Sequence, residues 1–143
     1  MKNAVNESVL PGMKALERMV GTWKISGGAN GEATFEWMEG GFFLMQHGLI
    51  EQNGVMHKAL EIIGCEKPFG ADKPNETITS RSYTDSGDTL DYTYEMDGDT
   101  LTIWGGPKGS PAFSRATFSE DGNTLSGAWE WPGGYNFVMT RIK

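Results

Sequence analysis

The chain has 143 residues, the length of a single domain with one hydrophobic core. It carries 12 Lys plus Arg against 19 Asp plus Glu, a net charge of −7, so its surface repels phosphate backbones and anionic lipid headgroups. No apolar run reaches the roughly 18 residues of a membrane-spanning helix. Nucleic-acid and membrane partners are therefore not expected.

Cysteine usage and the first residues of the chain indicate a cytoplasmic protein. Cys65 is the single cysteine, so no intrachain disulfide can form, and this fits a reducing compartment. Residues 1–8 contain no apolar stretch of signal-peptide length, so export is not expected. We divide the chain into an N-terminal extension, residues 1–10, and one domain, residues 11–143.

A helical pattern occurs once, near the N-terminus. Pro11 suits the first turn of a helix, and Gly21 ends the pattern. Apolar side chains recur between them at spacings of three and four residues: Leu10, Met13, Leu16, Met19 and Val20. A helix of about ten residues is not stable alone, so we predict that its apolar stripe packs on the rest of the domain as a cap.

Turn sequences divide the remaining chain into short strands. Glycine occurs 20 times, about twice its usual share, and the sequence contains four hairpin signals: Glu39-Gly40-Gly41, Asn53-Gly54, Asp97-Gly98 and Asp121-Gly122. The predicted strands are residues 22–27, 31–38, 42–52, 55–66, 76–83, 89–96, 99–104, 112–118, 124–131 and 135–142.

These strands predict an all-β fold, an antiparallel up-and-down barrel of about ten strands with a short N-terminal helix. Short turns make consecutive strands antiparallel, and no second helical pattern exists to form a parallel crossover. An open meander would expose two sheet edges, whereas a barrel removes them and encloses an interior.

The Asn53-Gly54 turn predicts which side chains share one face. A two-residue loop there pairs Ile50 with His57 and Gln46 with Glu61. With the preceding hairpin, the predicted interior face is Ala33, Phe35, Trp37, Phe42, Leu44, Gln46, Gly48, Ile50, His57, Ala59, Glu61 and Ile63. A carboxylate on this face needs hydrogen-bonding partners, water or a ligand, because an unpartnered buried carboxylate is costly.

The later hairpins add aromatic groups to the same kind of face. An Asp97-Gly98 loop places Tyr92 and Tyr94 together with Leu101 and Ile103. Farther along, Trp129 alternates with small and polar residues. The opposite face of the Asn53-Gly54 hairpin is unusually apolar and carries Phe43, Met45, His47, Leu49, Leu60 and Ile62.

Several segments of the sequence resemble those of a known family. Gly21-Thr22-Trp23 at the first strand resembles the Gly-x-Trp signature of lipocalin-like, or calycin, barrels, and Arg141 stands where their last strand supplies a basic residue over the tryptophan. Further segments are similar to a bacterial calycin-like family of unknown function over residues 12–143: Gly40-Gly41-Phe42-Phe43-Leu44, Glu61-Ile62-Ile63-Gly64 and Gly127-Ala128-Trp129-Glu130. The resemblance implies a barrel with a central cavity, closed by a cation–π contact between Arg141 and Trp23, and implies no particular activity.

Metal ions and cofactors are not expected. Two histidines occur, and the predicted register places His47 and His57 on opposite faces. Haem-binding nitrobindin-like barrels take an axial histidine from a late strand, but no histidine follows His57. Fatty-acid-binding proteins use a C-terminal Arg-x-Tyr and a helical lid after the first strand, and this chain has neither.

We predict that a small apolar or amphipathic ligand binds inside the barrel. The expected lining residues are Trp37, Gln46, His57, Glu61, Tyr92 and Trp129, with Gln46, His57 and Glu61 orienting the ligand.

Two alternatives remain open. One is an enzyme that uses Gln46, His57 and Glu61, although His57 and Glu61 are about 13 Å apart along one strand and each needs a partner from another strand, such as Arg81, Tyr92 or Arg115. The other is a homodimeric assembly protein that uses the apolar outer face of Phe43, Met45, Leu49 and Leu60.

Overall fold

The structure is a computed structural model that describes residues 9–142. It contains one 3₁₀ helix, Pro11–Met19, and the ten strands β1 (Gly21–Gly27), β2 (Asn30–Trp37), β3 (Phe43–Gln52), β4 (Val55–Gly64), β5 (Ile78–Thr84), β6 (Thr89–Asp97), β7 (Thr100–Trp104), β8 (Phe113–Phe118), β9 (Thr124–Glu130) and β10 (Asn136–Arg141). Most of the predicted N-terminal extension lies outside the described residues. Within residues 9–142, no helix has the length and apolar character needed to span a membrane.

The strands form one closed antiparallel barrel. Each strand pairs with the next along the chain, and β1 pairs with β10 to complete the circle. Closure satisfies the backbone hydrogen bonds of both end strands, which an open meander would leave exposed. The predicted up-and-down barrel of ten strands is therefore confirmed.

The hairpin between β3 and β4 has the predicted register. Asn53 and Gly54 both have positive φ angles, 54° and 79°, as a two-residue type I′ turn requires. Ile50 pairs with His57, and Gln46 pairs with Glu61. This turn thus sets the alignment of two ten-residue strands.

In the hairpin between β6 and β7, the turn lies one residue later than predicted, so each cross-strand partner differs from the prediction by two residues. The turn residues are Gly98 and Asp99, and Asp97 pairs with Thr100. Gly98 has a φ of 62°, so it fits the first central position of a type II′ turn, which glycine favours. A shift of two residues keeps every side chain on its predicted face, because side chains alternate with period two.

The N-terminal helix covers one end of the barrel, here called the closed end. Its buried side chains are Met13, Leu16 and Met19. Their spacing of three places them on one face of a 3₁₀ helix, which has three residues per turn. Arg18 donates hydrogen bonds to the carbonyl oxygen of Gly98 and to a carboxylate oxygen of Asp99, so the helix is tied to the turn between β6 and β7.

Trp23 and Arg141 join the first and last strands at the closed end. They are direct cross-strand partners, and the Arg141 guanidinium lies 4.2 Å from the centroid of the Trp23 ring. Arg141 also donates to the carbonyl oxygens of Arg18 and Val20, and the Trp23 indole donates to the carbonyl oxygen of Met19 at 2.8 Å. This contact therefore holds the helix, β1 and β10 together.

Candidate functional site

The barrel encloses a cavity of about 380 Å³. Met19 from the N-terminal helix contributes to its wall near the closed end. At the other end, here called the open end, the wall includes His57, Leu90 and Trp131, all of which are solvent-exposed. The cavity is within the usual size range of small-molecule sites. Two further depressions lie on the outside of the barrel and do not include Glu61.

A row of small residues leaves room for this cavity. Ala33, Gly48, Ala59 and Thr84 are successive cross-strand partners on β2 to β5. A Cβ atom added to Gly48 would lie 3.7 Å from its nearest neighbour, a side-chain oxygen of Gln46, so Gly48 has room beside it for a larger side chain. Toward the closed end, the next inward positions on β3 and β4 are larger.

Glu61 is the polar centre of the cavity. Its side chain accepts three hydrogen bonds: from Gln46 Nε2 at 2.6 Å, from Ser80 Oγ at 2.6 Å and from the Tyr94 hydroxyl at 2.5 Å. The residue is 8% exposed. Within residues 9–142 no Lys, Arg or His forms a salt bridge with it.

Burial controls the protonation of this group. It raises the pKa of Glu61 because desolvation outweighs the hydrogen bonds from Ser80 and Tyr94, which act in the opposite direction. Burial together with the nearby carboxylate also raises the pKa of Tyr94 well above its ordinary value. Tyr94 therefore remains a neutral donor while Glu61 titrates.

An aromatic wall continues from Glu61 to the open end. The ring centroids of Tyr92 and Trp129 are 6.0 Å apart, those of Trp129 and Trp131 are 4.9 Å apart, and those of Trp131 and Tyr135 are 6.2 Å apart. All four residues line the cavity. Burial, with a smaller contribution from Glu61, raises the pKa of Tyr92 to about 12, so its hydroxyl is uncharged near neutral pH.

The structure brings together five of the six predicted ligand-binding residues. Gln46, His57, Glu61, Tyr92 and Trp129 all contribute to the cavity wall. Their shared face follows from the alternation of side chains along β3, β4, β6 and β9.

Two other predicted interior residues lie elsewhere. Trp37 is the last residue of β2 and packs on the core at the closed end, outside the cavity wall. Its indole nitrogen is buried and has no hydrogen-bond partner within residues 9–142. Phe42 precedes β3 and is 50% exposed, so its assignment to the interior is wrong, because the strand alternation does not extend to a residue in the turn.

Two of the three hydrogen-bond donors to Glu61, Ser80 and Tyr94, were not predicted from the sequence. Tyr94 was placed on the same face as Tyr92, but nothing in the sequence brought β6 near Glu61. Ser80 follows the long connection between β4 and β5, which does not set a register as a two-residue turn does. Ser80 reaches Glu61 from the strand paired with β4, and Tyr94 reaches it from one strand farther around the barrel.

Neither arginine considered as a partner for the polar cluster reaches it. Arg81 forms a salt bridge with Asp91 at 2.8 Å, and both side chains are exposed. Arg115 lies over the Phe113 ring and contacts Thr102. His57 is exposed at the open end, four residues along β4 from Glu61. The proposed enzyme use of Gln46, His57 and Glu61 stays a prediction.

The histidines lie on opposite faces, as the register predicted. His57 lines the cavity, whereas His47 lies on the outer face, 4.0 Å from a carboxylate oxygen of Glu36. Across residues 9–142, no three His, Cys, Asp or Glu side chains are grouped as metal ligands would be.

The apolar outer face of β3 and β4 is only partly exposed. Leu49 is 39% exposed, and four other side chains of this face are half-buried: Phe43, Met45, Leu60 and Ile62. The predicted use of this face in a homodimer remains a prediction.

The sequence was also compared with known proteins. No family model matches it, and no curated protein matches it significantly. Membership of the lipocalin-like superfamily therefore remains a prediction from the Gly21-Thr22-Trp23 motif and Arg141.

Proposed function

We propose that this protein is a lipocalin-like, small-molecule-binding protein of the cytoplasm that holds a mainly apolar ligand inside the barrel. The observation that carries the proposal is the internal cavity of about 380 Å³, with aromatic walls and a small set of convergent polar groups. Apolar walls with a few polar anchors are the usual composition of a ligand site.

The arrangement supports an orientation for the ligand. Its apolar body lies against Tyr92, Trp129 and Trp131, and a polar group lies near Glu61 and Gln46. Access is through the open end, because the helix and the Trp23–Arg141 contact obstruct the other end. His57 is at the entrance, where it contacts the ligand only if the ligand extends that far.

A cavity-filling substitution tests this proposal. N-phenyl-1-naphthylamine, a neutral apolar fluorophore, is expected to bind saturably and to gain fluorescence. Gly48→Leu is expected to weaken this binding at least about tenfold, because the added side chain occupies the open space next to Gln46.

The matched control is His47→Leu, which places a leucine at the position of β3 directly before Gly48, where the side chain lies on the outer face. It should leave probe affinity within about twofold of the unsubstituted protein, an effect below about 0.5 kcal/mol. No saturable binding, or equal losses for the two variants, would contradict an interior site. Circular dichroism checks that both variants keep the barrel.

A further inference from the structure

Glu61 has acceptor capacity that the protein does not use. A carboxylate offers about four acceptor positions, and three of them receive hydrogen bonds from Gln46, Ser80 and Tyr94. Oε2 accepts two of these bonds and Oε1 accepts one. Because Glu61 lines the cavity, the remaining position on Oε1 is open to a bound molecule.

The donors around Glu61 are all uncharged. Gln46 contacts it from β3, Ser80 from β5 and Tyr94 from β6, and its cross-strand partner on β5 is Ser82. The other titratable groups in the cavity wall are His57, Tyr92 and Tyr135. Among residues 9–142, no lysine or arginine contributes to the wall, so Glu61, when ionised, is the largest charge in the cavity and has no counter-ion there.

The adjacent aromatic wall suits a positive charge. Tyr92 and Trp129 are neighbours in this wall, with ring centroids 6.0 Å apart, and both line the same cavity as Glu61. The faces of Tyr and Trp rings attract cations, and the attraction increases where water is excluded. A ligand carboxylate would instead meet the charge of Glu61 and be repelled.

We propose that the ligand is an amphipathic amine, with a protonated ammonium group bound to Glu61 beside Tyr92 and Trp129 and an apolar body directed toward Trp131. This inference rests on the proposed function and specifies its ligand class. The ammonium group supplies the charge and the hydrogen-bond donor that the site lacks.

The test is a matched ligand series that shares one apolar body: 4-phenylbutylamine, 4-phenylbutanol and 4-phenylbutanoate. Each is titrated into the full chain, with binding followed by tryptophan fluorescence. We expect the amine to bind about tenfold more tightly than the alcohol, because hydrogen bonds to charged groups are stronger than neutral ones. The carboxylate is expected to bind most weakly.

Two variants separate the site from the general negative charge of the protein. Glu61→Gln should reduce the preference for amine over alcohol to about twofold or less. Glu36→Gln removes the same charge from an exposed position on β2 and should keep the preference. If the preference survives Glu61→Gln or is lost in Glu36→Gln, the amine proposal is wrong.

A measurement on protein with Glu61 intact covers the case in which Glu61→Gln does not fold. In a His57→Gln background, which removes the histidine from the cavity wall, the preference should decline as pH falls and Glu61 takes up a proton. A preference independent of pH would contradict the proposal. If amine and alcohol bind equally, or if only N-phenyl-1-naphthylamine binds, the amine inference alone fails. If neither that probe nor any of the three ligands binds, the proposed function fails as well.

Discussion

The closed and open halves of the barrel share one alternation of side chains but are filled differently. In the closed half, Trp23, Leu44 and Ile63 are each 0% exposed and the helix packs over them. In the open half, the corresponding inward positions include Gly48 and Ala59, and the cavity occupies the volume that larger side chains would fill. Strand alternation therefore determines which residues point inward, whereas their size determines whether the interior is core or cavity.

Polar groups follow the same division. In the closed half, Arg141 donates to backbone carbonyls and lies over Trp23, so its hydrogen-bonding groups serve the fold. Glu61 belongs to the cavity and retains an unused acceptor position. Arg141 thus joins elements of the closed end, whereas the hydrogen bonds of Glu61 join β3, β4, β5 and β6 at the cavity wall.

The largest expected effect comes from removing one tryptophan from each half. Trp23→Ala is expected to lower the free energy of unfolding by about 3–5 kcal/mol, the usual cost of truncating a buried aromatic side chain. Trp131 is 38% exposed at the open end, so Trp131→Ala is expected to lower the free energy of unfolding by about 1 kcal/mol or less. Guanidinium unfolding measures both values, and equal losses would contradict the division into two halves.

An intermediate effect is expected from Glu61 as pH changes. Because its pKa is raised in the folded protein, the folded state keeps a proton that the unfolded state releases between the ordinary and the raised pKa. The free energy of unfolding should therefore fall as pH rises through this interval, by up to about 1.4 kcal/mol per pH unit.

Glu61→Gln keeps the side-chain shape without the titration, so this slope should disappear. Urea unfolding from about pH 4 to pH 8 measures the pH dependence of the free energy of unfolding in the unsubstituted protein and in Glu61→Gln. Hydrogen bonds within its own turn lower the pKa of Asp121. The ionised Asp121 therefore stabilises the folded state, and this stabilisation is lost as pH falls. The contribution is the same in the unsubstituted protein and in Glu61→Gln. Parallel curves for the two proteins would mean that Glu61 does not behave as a buried carboxyl group.

The smallest effect is expected at the entrance to the cavity. His57→Gln should change the free energy of unfolding by less than about 0.5 kcal/mol, because His57 is exposed to solvent. Binding of N-phenyl-1-naphthylamine should stay within about twofold. A larger change in binding would indicate that the ligand lies near the open end and not beside Glu61.

Local patterns predicted much of the fold. Hairpin glycines and alternating apolar residues identified all ten strands to within a few residues, and Asn53-Gly54 gave the pairing of Gln46 with Glu61. A tight turn has few conformations, so it sets the register of the strands that it joins. Where the turn lies one residue later than predicted, at Gly98-Asp99, each cross-strand partner shifts by two residues, and the period of two preserved the predicted face.

The candidate site was predicted less completely. Tyr94 and Ser80 contact Glu61 from strands whose position relative to β4 no short turn determines. Trp37 shares the predicted face, yet it lies at the end of β2, where the interior is filled by core residues. Alternation predicts the direction of a side chain, but its depth along the barrel axis depends on the tilt and stagger of all the strands.

The sequence by itself determined the number of strands, their antiparallel order, the register of the Asn53-Gly54 hairpin and the inward direction of Glu61, because these depend on interactions within or between neighbouring segments. The contact of Arg141 with Trp23, which the resemblance to lipocalin-like barrels implied, is present in the structure. Only the tertiary structure decided that Glu61 meets Ser80 and Tyr94 and how large a cavity remains beside them. These features require closure of the barrel, which brings together residues from distant parts of the chain according to strand tilt and side-chain volume.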